Sequence, residues 1–463
     1  MSHVIPQFHV FSRNFIKLSK KLSYCTFLFP AIYQLAEASE GVGGTRQLQA
    51  TASQRAENYR GQRSNIRPSN FDLGNFPVNA QNAKHWQIVL YDAACVATKD
   101  DWFVQAAVVQ IIERSLYSIR NQSEQQILMS AMRLATTLYL GKFPKADEIE
   151  REFLRITQKS PNETFVAIAL SALDNGGKIG SAQMSSLLNA FYSRFPGWRG
   201  STQLATTVEG ILQRRGNGSF PDIKDLLRYR ESKEPHLFVL CRPDRNVVCS
   251  TILRKPDGSF LREDNHIWMM SLRTSSIYGV AWNFSQGATP QGILRMEGLQ
   301  HPQSQEFRAY GQFNEIVIFL PFESGPNRFL PWKSGSFRGD ETEYQKMWPE
   351  SWRSYRPIMQ SYYAGKMGRS VLRIHGTGEA LDGFAIKKGY SSGLEWNPAL
   401  GCLSAREIYD DNGNPVKTDM RTLLKKLSQV QETPSPSGYV TVIDVPGDNR
   451  LPVSIAEIES FLE

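Results

Sequence analysis

A chain of 463 residues is long enough for two or three domains, and an apolar fraction of 41% is enough to bury a sizeable core, which excludes a wholly disordered protein. The formal charge of +8 invites a nucleic-acid partner, but residues 1–38 hold four bases (Arg13, Lys17, Lys20, Lys21) against one acid (Glu37), leaving +5 beyond them. With no long basic run, that bias is too weak for a nucleic-acid binder, and no nucleic acid is expected.

The N-terminus joins a basic stretch, Arg13 to Lys21, to an acid-free apolar one, Leu22 to Leu35, closed by Ala36-Glu37-Ala38. Charged region, apolar region and a small-x-small site read as a secretory signal peptide over residues 1–38. The apolar run is short for a membrane span and contains Pro30, so no stable span is expected after cleavage. The mature chain should then begin near Ser39 and act outside the cytoplasm, secreted or periplasmic in the cell envelope.

Residues 39–80 are rich in Gly, Ser, Gln, Asn and Arg without helical or strand period, and read as a flexible linker. Over 81–234 the pattern becomes helical: Trp102, Val104, Ala107, Val108, Ile111, Ile112 and Leu116 recur mostly at three and four, as do Ile127, Met129, Met132, Leu134, Leu138 and Leu140. Asn121, Ser123, Pro144 and Asp174-Asn175-Gly176-Gly177 punctuate at least six helices, an all-α domain that packs as a bundle or docks a wall or protein partner.

From 235 to 463 the period switches to strands. His236 to Arg242 and Asn246 to Leu253 flank a hairpin turn, and further strands are expected at His266–Leu272, Ser276–Trp282, Gly292–Glu297, Glu315–Leu320, Val371–His375 and Tyr439–Val445. Helices are expected at Leu403–Tyr409, Asp419–Leu427 and Ser454–Phe461. This mainly β part should fold alone from about Pro235. Five cysteines (25, 95, 241, 249, 402) show no metal spacing or disulfide framework. Cys241 and Cys249 are placed as hairpin neighbours, and unpaired burial is expected for Cys95, Cys241 and Cys249.

Three segments carry chemistry: Thr289-Pro290-Gln291-Gly292, Ile374-His375-Gly376-Thr377-Gly378 and Gly401-Cys402-Leu403. With a helix starting near Leu403, Cys402 would sit at its N-terminus, where backbone N–H groups lower a thiol pKa. His375 ends an apolar strand before a glycine turn, which would leave its imidazole at an open edge. A Cys beside a His is the minimal set for acyl transfer: the thiolate attacks, the imidazolium protonates the leaving amine, and N–H groups near Gly401 and Cys402 hold the oxyanion.

In order and content the three segments resemble the L,D-transpeptidase catalytic domain, with its T-P-x-G strand, I-H-G-T strand and Gly-Cys nucleophile loop. The resemblance covers about Pro235 to Val445. It says nothing of the helical half, so with the helical pattern before it the chain reads as multidomain: an N-terminal all-α helical domain followed by a mainly β L,D-transpeptidase-like catalytic domain with a few peripheral helices. The resemblance implies Cys402 as nucleophile, His375 as base and then acid, Gly401 with Cys402 as oxyanion donors, Gly376 shaping the base's turn, and Gly401, Gly376 and Thr377 as the oxyanion and substrate-binding set. The implied reaction is a peptidoglycan-building acyltransferase step on stem peptides, through a thioester and without metal or organic cofactor. Where the family has Ser/Thr-His before Gly-Cys, this chain has Ala399-Leu400, and the usual Arg two places after the nucleophile is Ser404, leaving Arg406 or Arg373 to replace it. These departures open two alternatives: a catalytically degenerate wall-binding or scaffolding protein, and a secreted cysteine peptidase. A long segment before His375 holds Trp332, Trp348, Trp352, Tyr355, Tyr362 and Tyr363, read as packing before sugar stacking.

Overall fold

Helical periodicity in the first half becomes a run of helices: α1 (Ala52–Ser64), α2 (Ala83–Val96), α3 (Trp102–Glu113), α4 (Gln122–Leu140), α5 (Ala146–Lys159), α6 (Glu163–Asn175), α7 (Ser181–Arg194), α8 (Thr202–Arg215) and α9 (Ile223–Arg228). A computed structural model describes residues 46–462 apart from 120, 217–218, 302–304, 310, 312–313, 379–395, 432 and 434. The signal read over 1–38 and the first part of the 39–80 linker lie outside the described residues.

Caps fall where the side chains allow them. The Asn121 side chain accepts from the N–H groups of Ser123 and Glu124 at 2.8 and 3.3 Å, and Asn162 accepts from Thr164 and Phe165 at 3.0 and 3.2 Å. Every residue of α6 from Phe165 to Asp174 is buried, so this helix is the centre of the helical layer rather than an amphipathic cover.

The described part of the linker is not a spacer. Thr51 caps α1 by accepting from Gln54 N–H at 3.3 Å, and Arg55, Ile66, Phe71 and Val78 are all buried. Few apolar residues suffice here because Ile66, Phe71 and Val78 all enter the helical core.

The second half builds one mixed nine-stranded sheet in the order β10-β9-β8-β7-β6-β11-β1-β2-β5. Its strands are β1 (His236–Cys241), β2 (Cys249–Arg254), β5 (Met269–Leu272), β6 (Gly292–Gln300), β7 (Glu315–Phe319), β8 (Leu372–Thr377), β9 (Leu403–Tyr409), β10 (Pro415–Thr418) and β11 (Ser437–Asp444). A separate two-stranded piece joins β3 (Arg262–Glu263) to β4 (His266–Ile267). Within the large sheet β1–β11 and β8–β9 run parallel and the other neighbours antiparallel.

Both faces of the sheet are covered, so strands such as β1 are buried throughout. On one face Leu237, Val239, Ile316, Ile374 and Leu403 meet Met420, Leu423 and Leu427 of helix α13 (Asp419–Val430). On the other, Phe238, Leu240, Ile293 and Tyr439 meet an aromatic cluster that includes Tyr344, Trp348, Trp352 and Tyr362. The aromatics of this segment are therefore mostly packing; Trp332 is the one that is 50% exposed. Between β7 and β8 lie helices α11 (Glu341–Gln345) and α12 (Gln360–Lys366), with α10 (Gln305–Ala309) before β7 and α14 (Ile455–Ser460) near the C-terminus.

Three local expectations are overturned. Leu403–Tyr409 is strand β9, not a helix: Leu403, Ala405, Glu407 and Tyr409 are buried beside β8, and tertiary pairing overrides the helical propensity of Ala, Arg and Glu. Ser276–Trp282 forms no named strand; Ile277, Tyr278, Val280 and Phe284 instead enter the helical core. Cys241 and Cys249 are disulfide-bonded, because the β1–β2 register sets Leu240 opposite Ser250 and brings the flanking cysteines together. Cys95 and Cys402 are not disulfide-bonded. With a sequence separation of 8, the disulfide should contribute about 2.5 kcal/mol by loop-closure entropy. A Cys241→Ala, Cys249→Ala double variant should lose about that much in urea unfolding, and an unchanged midpoint would refute the stabilising role.

Candidate active site

The sheet brings the three motif segments to one place. Thr289, 1% exposed, donates its hydroxyl to the Gly401 carbonyl at 2.9 Å, which ties the Thr-Pro-x-Gly segment to the cysteine loop. Parallel pairing of β8 with β9 sets Ile374 beside Leu403 and His375 beside Ser404. Leu372 and Ile374 feed the core under α13, so Arg373 and His375 project from the opposite face, with Glu315 of β7 directly across from His375.

His375 is not at an open strand end. It lies within β8, which runs on through Gly376 and Thr377, and it is 5% exposed. No glycine turn follows it; Gly376 is needed because a Cβ there would run into Glu407 and the Gly311 carbonyl. The imidazole Nδ1 lies 2.9 Å from the Gly376 carbonyl and 3.5 Å from the Thr377 hydroxyl. A carbonyl can only accept, so Nδ1 carries the proton and Nε2 is left with its lone pair, the form a general base requires. Burial, opposed by the Gly376 carbonyl and reinforced by Arg373, pushes His375 down to about 4.

Cys402 lies immediately before β9, one strand across and two residues back from His375, which on ideal spacings is about 8 Å between Cα atoms. The thiol and imidazole do not hydrogen-bond to each other. The sulfur instead sits 3.9 Å from the Val371 carbonyl and accepts from the Arg373 N–H. The residue as a whole is only half-buried, yet enclosure of the sulfur pushes the thiol up to about 11. Arg373 and Arg369 oppose that rise, and Glu315 adds to it. The expected lowering of this pKa by a helix N-terminus is therefore wrong: the helix that follows, α13, starts only at Asp419.

Gly401 takes φ +102°, and a Cβ on it would collide with the Gly287 carbonyl and the Arg369 guanidinium. Gly401→Ala should cost about 3 kcal/mol or more, adding backbone strain to a clash with fixed backbone. Urea unfolding checks this, and a midpoint equal to the unaltered protein's would contradict it.

Of the two arginines offered as substitutes for Ser404, Arg406 pairs with Asp419 at 3.3 Å and lies over the Trp396 ring. Arg373 is the one whose charge and N–H reach Cys402. Two residues near the thiol carry no sequence signal. Glu315 looks like the polar flank of an apolar strand, but it is 8% exposed, and burial pushes its carboxyl up against the pull of Arg373 and His301. Arg369 falls in Gly368-Arg369-Ser370, an ordinary polar turn by composition. Its guanidinium donates to the carbonyls of Trp282, Gly287 and Ala288.

At rest the site therefore holds a neutral thiol and a neutral imidazole with a free Nε2. Such a pair can act only by general-base chemistry and does not start as a preformed ion pair. Compared with known proteins, the chain matches no family model, no curated protein and no solved structure.

Proposed function

We propose that this is an exported cell-wall acyltransferase of the L,D-transpeptidase type, acting on peptidoglycan stem peptides. One observation carries the reading: the three segments that resemble that family's motifs meet, with Thr289 bonded to Gly401 and His375 one strand across and two residues along from Cys402. In this reading the thiol proton passes to Nε2 of His375 as Sγ bonds to the carbonyl carbon of the donor peptide's third residue. The tetrahedral oxyanion rests on N–H groups at Gly401 and Cys402. The C–N bond then breaks, the imidazolium gives its proton to the departing D-alanine amine, and an acceptor amine later displaces Sγ from the thioester. No metal or organic cofactor enters any of these steps.

The finer architecture belongs to the same proposal: an N-terminal all-α domain that docks wall or partner, ahead of a mainly β catalytic domain. The Cys241–Cys249 disulfide supports an oxidising compartment, in keeping with export. Among the described residues no helix is long and apolar enough to cross a membrane.

Incubation with a tetrapeptide stem donor should release D-alanine and add the tripeptide mass to Cys402, read by intact-mass and peptide mapping. No adduct under any donor or carbapenem would end the acyltransferase reading. The degenerate wall-binding reading is favoured by a specific observation, the thiol held up at about 11 with no bond to His375. It predicts stem-peptide binding without an adduct.

A further inference from the structure

Arg369 is a part-buried cation with an unusual set of partners. Its two terminal nitrogens donate to three backbone carbonyls, of Trp282, Gly287 and Ala288, and among the described residues it forms no ion pair with any carboxylate. Carbonyl dipoles satisfy its N–H groups but leave its unit charge uncompensated, and burial alone pushes it down to about 10. The group that can compensate it is the Cys402 sulfur, whose charge is the one that acts on the guanidinium. Gly401 is pressed against the same guanidinium, so the cation lies behind the residue that precedes the thiol. In a part-buried site an unneutralised positive charge acts on an anion more strongly than it would in water.

We infer that Arg369 is the positioning residue of this site: it clamps the 282–288 loop under the cysteine and joins Arg373 in supplying the counter-charge for the Cys402 thiolate once the proton has left. The inference rests on the reading of Cys402 as a nucleophile. It explains how a thiol whose resting state is neutral can still be ionised during a reaction. The proton moves to Nε2 of His375, and the sulfur's new charge is met by a cation already in place, with no reorganisation of solvent. It also gives the carbonyl contacts a purpose, since they hold the guanidinium without cancelling its charge as a carboxylate would.

The test reads thiol ionisation directly, through the rate of iodoacetamide alkylation at Cys402 between pH 7 and 11, followed by peptide mapping. Arg369→Gln removes the charge while keeping an amide donor, and Arg369→Lys keeps the charge while losing the planar fork. The expected result is alkylation about tenfold slower in R369Q than in the unaltered protein at the same pH, a thiol pKa higher by about one unit. R369K should stay within about threefold. A folded R369Q with an unchanged profile overturns the inference, as does an equal drop in both variants, which marks a purely structural clamp.

Should R369Q fail to fold, nitrogen-detected NMR of arginine side chains decides the matter without altering Arg369. One exchange-protected guanidinium signal should shift with the midpoint of the Cys402 titration and stay still in Cys402→Ser. Absence of that shift overturns the inference equally. Failure here leaves the acyl-enzyme experiment standing, and a missing acyl-enzyme leaves the thiol titration readable.

Discussion

Cys402→Ala should abolish acyl-enzyme formation outright, whereas His375→Ala should slow it by about 10²–10⁴-fold, the usual contribution of a positioned acid–base group. The two variants differ again in stability. His375 is 5% exposed between β7 and β9, so its removal leaves a cavity in the sheet and should cost about 2 kcal/mol or more, while Cys402 is half-buried and should cost less. The pH profile gives an independent check. His375 must be unprotonated to accept the thiol proton, and it is held at about 4, so the acid limb of acylation should lie near pH 4 rather than near the 6.5 of an ordinary histidine. Single-turnover acylation followed by mass spectrometry across pH 3 to 8 measures this. An acid limb at 6.5, or a His375→Ala variant acylated at full rate, would remove His375 from the mechanism.

The second large effect is on stability and comes from opposed titrations. Glu407 on β9 accepts from the Tyr409 hydroxyl at 3.0 Å and from the Met420 N–H at 2.9 Å, and burial pushes its carboxyl from 4.5 up to about 8. Because the folded value is raised, the unfolded chain releases this proton between about pH 4.5 and 8 while the folded chain keeps it. Stability therefore falls as pH rises through that window. His375 runs the other way. Its folded value is depressed from 6.5 to about 4, so below 6.5 the unfolded chain takes a proton the folded one refuses, and stability falls as pH drops toward 4.

Between about pH 4.5 and 6.5 the two slopes cancel, and these groups alone leave a plateau followed by a loss of about 2 kcal/mol up to pH 8. Glu407→Gln should erase that loss and uncover the histidine slope, a gain of about 3 kcal/mol from pH 4 to 6.5. Urea midpoints at pH 4, 5, 6.5 and 8 on both proteins measure it, and an unchanged decline above pH 6.5 in the variant would rule out Glu407 as its source.

Strand periodicity was legible in most of the covered sheet: β1, β2, β6, β7, β8 and β11 all begin or end close to where apolar and β-branched runs place them. The Asn121 cap and helices α13 and α14 were legible for the same local reasons. What local pattern could not supply was pairing. Leu403–Tyr409 carries helix-forming residues and becomes a strand only because β8 offers its edge in parallel. The run from Gln47 to Val78 is polar on average, and nothing in its composition says that Ile66, Phe71 and Val78 are anchors. At the site, the order of three short segments was visible in the chain, but the cation beside the thiol was not. Arg369 reaches its carbonyls across more than eighty residues of sequence, from a turn with no distinguishing neighbours.

The segment around Ile277 carries a further consequence, for the cooperativity of unfolding. Ile277, Tyr278, Val280 and Phe284 are buried among the helices, the Thr137 hydroxyl donates to the Tyr278 carbonyl at 3.1 Å, and Asn283 donates to the Thr207 hydroxyl at 2.8 Å. A few residues on, the Gly287 and Ala288 carbonyls receive Arg369, and Thr289 holds Gly401. One stretch of chain thus spans the helical core and the cysteine loop, so melting the helices strips the support from the thiol. The protein should unfold in a single calorimetric transition. A fragment starting near Pro235, contrary to what the change of periodicity there suggests, should expose four large apolar side chains and aggregate instead of folding alone.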